Sequence, residues 1–271
     1  MHPRAGEQPL AAPIPGIEKI IAVGSGKGGV GKTTVSVNLA IALSRLGRRV
    51  GLLDADVYGP NVPRMLGMEG APHAVDNRIV PLEKSGLKVL SMGFLNPGDK
   101  PVVWRGPMLH SVMQQFLHGT DWGELDYLII DLPPGTGDVA LSLAQTAPVS
   151  GAIVVTTPSE VSLEDARKAV NMFRQFRVDV LGVVENMSYL LAPQSKERID
   201  VFGSGGAVRL AGAMGIPVLA ELALDPAVRS GGDTGKPVAF GDAPAFEELA
   251  RTVDSRAGQS AAKGPSMVVE D

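Results

Sequence analysis

Short apolar runs alternate along this chain with longer stretches in which apolar and polar positions recur at helical spacing. The runs predict strands over residues 19–24, 50–54, 88–91, 127–131, 151–156, 180–185 and 216–219. The periodic stretches predict helices over 32–46, 108–117, 138–147, 162–176, 206–214 and 245–253. In the helix over 162–176, Leu163, Ala166, Val170 and Phe173 fall on one face, which reads as core. Glu164 and Lys168 stand four apart on the other, spaced for an outward ion pair. Strands that are apolar throughout, each followed by a helix, imply a mostly parallel sheet covered on both faces. With no internal repeat and no compositional break, the expected fold is one doubly wound α/β domain over 17–254. Residues 1–16, rich in Ala, Pro and Gly, read as a flexible leader, and 255–271 as a weakly structured tail.

Composition narrows the chemistry. The chain has 271 residues, 44% hydrophobic, enough to bury a proper core, and it has no cysteine. Disulfides, zinc–thiolate sites, thiol nucleophiles and cysteine-held iron–sulfur clusters are therefore excluded for the chain alone. A formal net charge of −4 gives no overall field for DNA or anionic membranes. The charge-free run 139–159 contains Gln145, Pro148 and several Ser and Thr residues, and reads as helix, turn and buried strand rather than a membrane span. No targeting segment is recognisable, so a soluble cytoplasmic protein is expected, with neither nucleic acid nor membrane as partner.

The strongest motif follows the first strand. Gly24, Gly26 and Gly29 satisfy G-x-G-x-x-G, a dinucleotide fingerprint that any glycine-rich stretch can mimic. The segment from Gly26 to Thr33 satisfies G-x-x-x-x-G-K-[ST], the P-loop, in which the last two residues have specific work. Backbone N–H groups of Gly26, Lys27, Gly28, Gly29, Val30, Gly31, Lys32, Thr33 and Thr34 can wrap phosphates, helped by the positive end of the following helix. Lys32 suits the β- and γ-phosphates of ATP, and the Thr33 hydroxyl suits Mg²⁺. Asp131, ending the buried run 127–131, supplies the carboxylate such a site needs for its metal. Asp54 and Asp56 end the strand over 50–54; Asp54 is a further candidate metal ligand, and one of the two could orient an attacking water. Residues 132–138, two prolines and then Gly135, Thr136 and Gly137, suit a segment that senses the γ-phosphate. Neither G-x-S-x-G nor H-E-x-x-H occurs, so serine-hydrolase and zinc-protease chemistry have no support.

Lys27 lies outside the ordinary P-loop pattern. With it, the segment resembles the deviant P-loop of the MinD, ParA and nitrogenase iron-protein (SIMIBI) superfamily. Within that group, Asp54-Ala55-Asp56-Val57-Tyr58-Gly59-Pro60-Asn61-Val62-Pro63 resembles the Mrp/ApbC-type iron–sulfur cluster carrier ATPases. So do Trp104-Arg105-Gly106-Pro107-Met108, Pro133-Pro134-Gly135-Thr136-Gly137-Asp138, Glu185-Asn186-Met187-Ser188-Tyr189 and Phe202-Gly203-Ser204-Gly205-Gly206, in the family's order. The resemblance implies an ATP-hydrolysing homodimer with Mg²⁺, in which Lys27 acts across the dimer, Lys32 and Asp56 are catalytic, Asp131 belongs to the Mg²⁺ shell and Asn186 contacts adenine. It implies a role in iron–sulfur cluster assembly, with assembly or client proteins as partners.

The chain departs from the family where Leu222-Ala223-Leu224-Asp225 replaces Ile-Pro-Leu-Asp. It departs again where Ala192-Pro193-Gln194-Ser195 replaces Cys-Pro-x-Cys, removing both cluster ligands. The resemblance therefore supports the ATPase reading and removes autonomous cluster carriage. The alternative is a MinD/ParA-like positioning ATPase. The tail lacks the basic amphipathic helix that membrane targeting needs, and the charge balance shows no basic face for DNA.

Overall fold

The computed structural model describes residues 11–95, 106–135 and 137–262. In chain order the elements are β1 (Ile17–Ser25), α1 (Lys32–Arg45), β2 (Val50–Asp54), α2 (Val62–Met65), β3 (His73–Val75), β4 (Arg78–Val80), β5 (Leu82–Lys84), β6 (Leu87–Ser91), α3 (Gly106–His118) and β7 (Leu125–Asp131). There follow α4 (Gly137–Thr146), β8 (Gly151–Thr156), α5 (Glu160–Gln175), β9 (Val180–Glu185), β10 (Leu190–Leu191), β11 (Arg198–Ile199), α6 (Gly206–Met214), β12 (Val218–Glu221), α7 (Pro226–Asp233) and α8 (Pro244–Ala262). Eight strands form one sheet in the order β12-β9-β8-β1-β7-β2-β6-β5, parallel throughout except that β5 runs antiparallel to β6. The doubly wound, mostly parallel sheet expected from the pattern is present.

Strand alternation explains the continuous apolar runs. In β7, Leu128 and Ile130 point into the layer beneath α3, α4, α5 and α6, while Tyr127 and Ile129 point into the layer beneath α1 and α8. Both faces are dry, so every position must be apolar. In α5 the predicted face, Leu163, Ala166, Val170 and Phe173, is buried. The outward pair differs from expectation: Lys168 Nζ meets Asp165 Oδ1 at 2.8 Å, one residue nearer in sequence than Glu164.

Three boundaries moved for identifiable reasons. The last predicted strand begins later, at Val218, because the Ile216 N–H donates to Ala211 O and so closes the end of α6. Helix α8 runs to Ala262, through part of the expected tail, and Ala257 is fully buried on the α1 side of the sheet. The small residues there carry little hydropathy, which hid the helix from the sequence pattern. Ile14, within the expected leader, is buried against the other layer.

Register sets the stage for chemistry. Val23 of β1 pairs with Asp131 of β7, Asp131 with Asp54 of β2, and Asp54 with Ser91 of β6. Four neighbouring strands thus end at one level, beside the loop that follows β1.

Candidate functional site

The loop 26–31 connects β1 to α1, and its glycines answer to specific neighbours. A Cβ on Gly26 would fall 2.1 Å from the backbone carbon of Asp165, so α5 packs directly on the loop. Gly31 has φ +83°, and a Cβ there would fall 2.1 Å from Asn186 Nδ2. Any larger residue at either position would force the loop away from its supports.

Lys32, the first residue of α1, is almost wholly buried, with its ammonium 2.8 Å from Asp131 Oδ2 and 3.7 Å from Asp56 Oδ2. Thr33 Oγ1 donates to the same Asp131 oxygen at 2.7 Å, and Ser36 Oγ donates to Asp131 Oδ1 at 2.7 Å. Asp131 is fully inaccessible, so its charge is balanced by one ammonium and two hydroxyls. Ser36 was not singled out from the sequence. Its place one turn after Lys32, on the helix face that meets β7, is the signal that marks it.

Asp56 Oδ1 accepts from the Tyr58 and Gly59 backbone N–H groups at 3.2 and 3.1 Å. Those bonds fix the carboxylate while Oδ2 faces Lys32. Asp54, expected as a metal ligand, is engaged differently. Its Oδ1 accepts from Asp56 N at 3.2 Å, and its Oδ2 from Ser91 Oγ at 2.9 Å and Val62 N at 3.1 Å. Burial, with the neighbouring Asp131 carboxylate, pushes its pKa up to about 8 against those donors. Fully buried and absent from the cleft wall, Asp54 ties both ends of the 56–62 loop to the sheet.

The loop, Asp56 and α7 enclose a cleft of about 630 Å³. Lys27, Gly28, Gly29, Val30, Gly31, Lys32, Thr33, Thr34 and Asp56 line it. Pro134 borders it, and the Gly135 N–H donates to Ser25 O at 3.0 Å, holding the segment after β7 against the loop. Thr136 of the proposed sensing segment, and Trp104 and Arg105 of another motif, lie outside the described residues. Tyr58 and Asn61, of the motif beginning at Asp54, line the far wall, but Arg64, Val228, Arg229 and Asp233 there were not read from the sequence, because α2 and α7 are short and reach the cleft only through tertiary packing. Asn186, implied as an adenine contact, donates through Nδ2 to Val30 O at 2.9 Å and supports the loop from behind.

Ala192, Pro193, Gln194 and Ser195 cap the β10–β11 hairpin. The Lys196 N–H donates to Ala192 O at 2.9 Å and the Glu197 N–H to Ser195 Oγ at 3.3 Å. Leu191, Ile199, Val201 and Phe202 nearby are exposed. Among the described residues no group of three or more His, Asp or Glu side chains is placed to hold a metal ion, and no helix is long and apolar enough to cross a membrane.

A parallel sheet with a glycine loop between β1 and α1, a helix-leading lysine and threonine, and an acid ending the adjacent strand defines a P-loop NTPase of the MinD-like arrangement. The family model for the NUBPL iron-transfer P-loop NTPases of the ParA group matches residues 16–255, and the chain belongs to that family.

It is 54% identical over 228 residues to the iron–sulfur cluster carrier protein of Aquifex aeolicus, covering 83% of this chain and 63% of that protein. It is 46% identical to the mouse iron–sulfur cluster transfer protein NUBPL, over 86% of this chain and 74% of the relative. Among solved structures, a nucleotide-binding protein of Archaeoglobus fulgidus in complex with ADP superposes with a TM-score of 0.74 at 39% identity, covering 85% of this chain and 90% of that one. The septum site-determining protein MinD of Pyrococcus horikoshii, complexed with Mg-ADP, gives 0.65 at 26% identity, covering 89% and 98%.

Proposed function

We propose that this chain binds Mg-ATP in the cleft and hydrolyses it as a homodimer, and that the cycle serves iron–sulfur cluster transfer to client proteins. The observation that carries this reading is the buried constellation of Lys32, Thr33 and Asp131 beneath a loop too tight for any Cβ at Gly26 or Gly31. That donor set fits a magnesium nucleotide. The Thr33 hydroxyl and Asp131 carboxylate would hold Mg²⁺, whose charge would help neutralise the phosphates. Backbone N–H groups over 28–34 bind and orient the phosphate chain. Lys32, now neutralised by Asp131, would turn its ammonium to the β- and γ-phosphates. Asp56, anchored through Oδ1, presents Oδ2 to take a proton from, or orient, the attacking water. Lys27, at the mouth of the cleft, would reach the nucleotide of a second subunit.

The cluster is cargo, and this chain's residues do not fit it. Ala192 has no donor atom, Ser195 offers only a hydroxyl, and no cysteine stands anywhere in the sequence. We infer that a partner protein supplies the thiolates and that this chain supplies the nucleotide cycle. The positioning-ATPase reading is weaker, since the MinD likeness is at 26% identity and the carrier relative at 54%.

Phosphate release and calorimetric titration test the proposal together. The wild-type chain should release phosphate from ATP only with Mg²⁺ present. Asp56→Ala should bind Mg-ATP with near-wild-type affinity yet lose about 10²-fold or more of the hydrolysis rate, because positioning of the water is removed while phosphate contacts persist. Hydrolysis at the wild-type rate in Asp56→Ala would assign the water to another group.

A further inference from the structure

A second cavity, of about 480 Å³, opens at the end of the sheet opposite the nucleotide cleft. It sits where β9 and β12 begin, between the last turns of α5 and α6 and one face of α8. Arg174, Arg177 and Arg256 line it, the first two from the end of α5 and the third from α8, against a single carboxylate, Asp179. None of the three arginines forms an ion pair with a described residue; in a chain with more acidic than basic side chains, that leaves unusual positive charge in one concavity.

Part of this charge has a structural use. Arg174 Nη2 donates to Met214 O, the last carbonyl of α6, where a cation also complements the helix end. A guanidinium has five N–H donors in a planar fork, however, so one such bond leaves most of them directed elsewhere. Arg177 has no such duty among the described residues. It occupies φ +58° just past the end of α5, a conformation that glycine adopts without cost and that a residue with a Cβ resists by about 1–2 kcal/mol. Arg256 comes from α8, on the other face of the sheet, so two layers of the fold converge to place their guanidiniums at one opening.

We propose that this cavity binds a small polyanion carrying two or more carboxylate or phosphate groups. Guanidinium forks pair bidentately with two oxygens of either group, and the volume falls within the range of small-ligand sites while exceeding what one inorganic anion fills. A volume of about 480 Å³ and an acidic chain overall favour a compact ligand over an extended polymer. Asp179 at the rim would repel a misplaced anionic group and so select for ligands whose charges are spaced toward the arginines.

The test is calorimetric titration of citrate and, separately, of pyrophosphate into the full chain carrying Lys32→Ala, which weakens phosphate binding at the other end of the sheet, at a low temperature where circular dichroism shows the variant folded. One anion per chain should bind, weakening as salt rises, and Arg177→Gln combined with Arg256→Gln should lower the affinity at least tenfold with the thermal unfolding midpoint retained. Binding of citrate alone identifies a carboxylate ligand, and of pyrophosphate alone a phosphate ligand; either supports the site. Failure of both anions to bind at millimolar concentration, or binding that the double substitution leaves unchanged, would overturn it. The double substitution also separates this site from any residual phosphate binding at the loop, which would survive it.

Discussion

Lys32→Ala should lose Mg-ATP binding by about 10²-fold or more, measured by calorimetry. The ammonium is the only side-chain cation within reach of Asp131 among the described residues, and it would serve as the charged donor to the β- and γ-phosphates. Charge-assisted bonds of this kind are each worth about 1.5–3 kcal/mol, so losing two of them accounts for a fall of that size. The same variant should also lose stability, because it leaves the inaccessible Asp131 carboxylate with only the Thr33 and Ser36 hydroxyls. Removing one partner of a buried pair costs about 3–5 kcal/mol, toward the lower end here given those hydroxyls. A binding measurement at low temperature on folded protein separates the two effects. Unchanged ATP affinity in the folded variant would refute the assignment of the loop.

Lys27→Ala should separate binding from chemistry. Lys27 is half-buried at the cleft mouth and has no ion-pair partner among the described residues, so removing it should disturb neither the fold nor nucleotide affinity. If it stabilises transferred charge as an arginine finger does, hydrolysis should fall about 10³-fold. Mixing Lys27→Ala with Asp56→Ala subunits should restore part of the activity, since one of the two composite sites then holds both residues. Demonstrated heterodimers without any recovery would place Lys27 in its own subunit's site.

The sheet and the phosphate loop were legible from the sequence because each rests on local rules. Residues 127–131 read as a buried strand because both faces of β7 meet helices, and the loop reads from spacing alone. What remained hidden depends on distant partners. Asp54 and Asp56 look alike in sequence, and only the pairing of β2 with β6 brings Ser91 to Asp54 and removes it from the cleft wall. The Asn186 side chain supports Val30 across the fold rather than lining the cleft, a consequence of where β9 ends relative to the loop. The wall formed by α2 and α7 and the burial of Ala257 on α8 likewise follow from packing between remote segments.

In the proposed division of labour, this chain supplies nucleotide chemistry and a partner supplies cluster ligation. Anaerobic reconstitution with iron and sulfide, followed by chelator treatment and gel filtration, measures that separation directly. The unmodified protein should emerge without stoichiometric iron or sulfide, with and without Mg-ATP, since a dimer of these chains contributes no thiolate where a four-iron cluster takes four. Ala192→Cys combined with Ser195→Cys should gain a cluster that either single substitution holds poorly, provided the hairpins face each other in the dimer. Stoichiometric, chelator-resistant iron and sulfide in the unmodified protein would contradict the account.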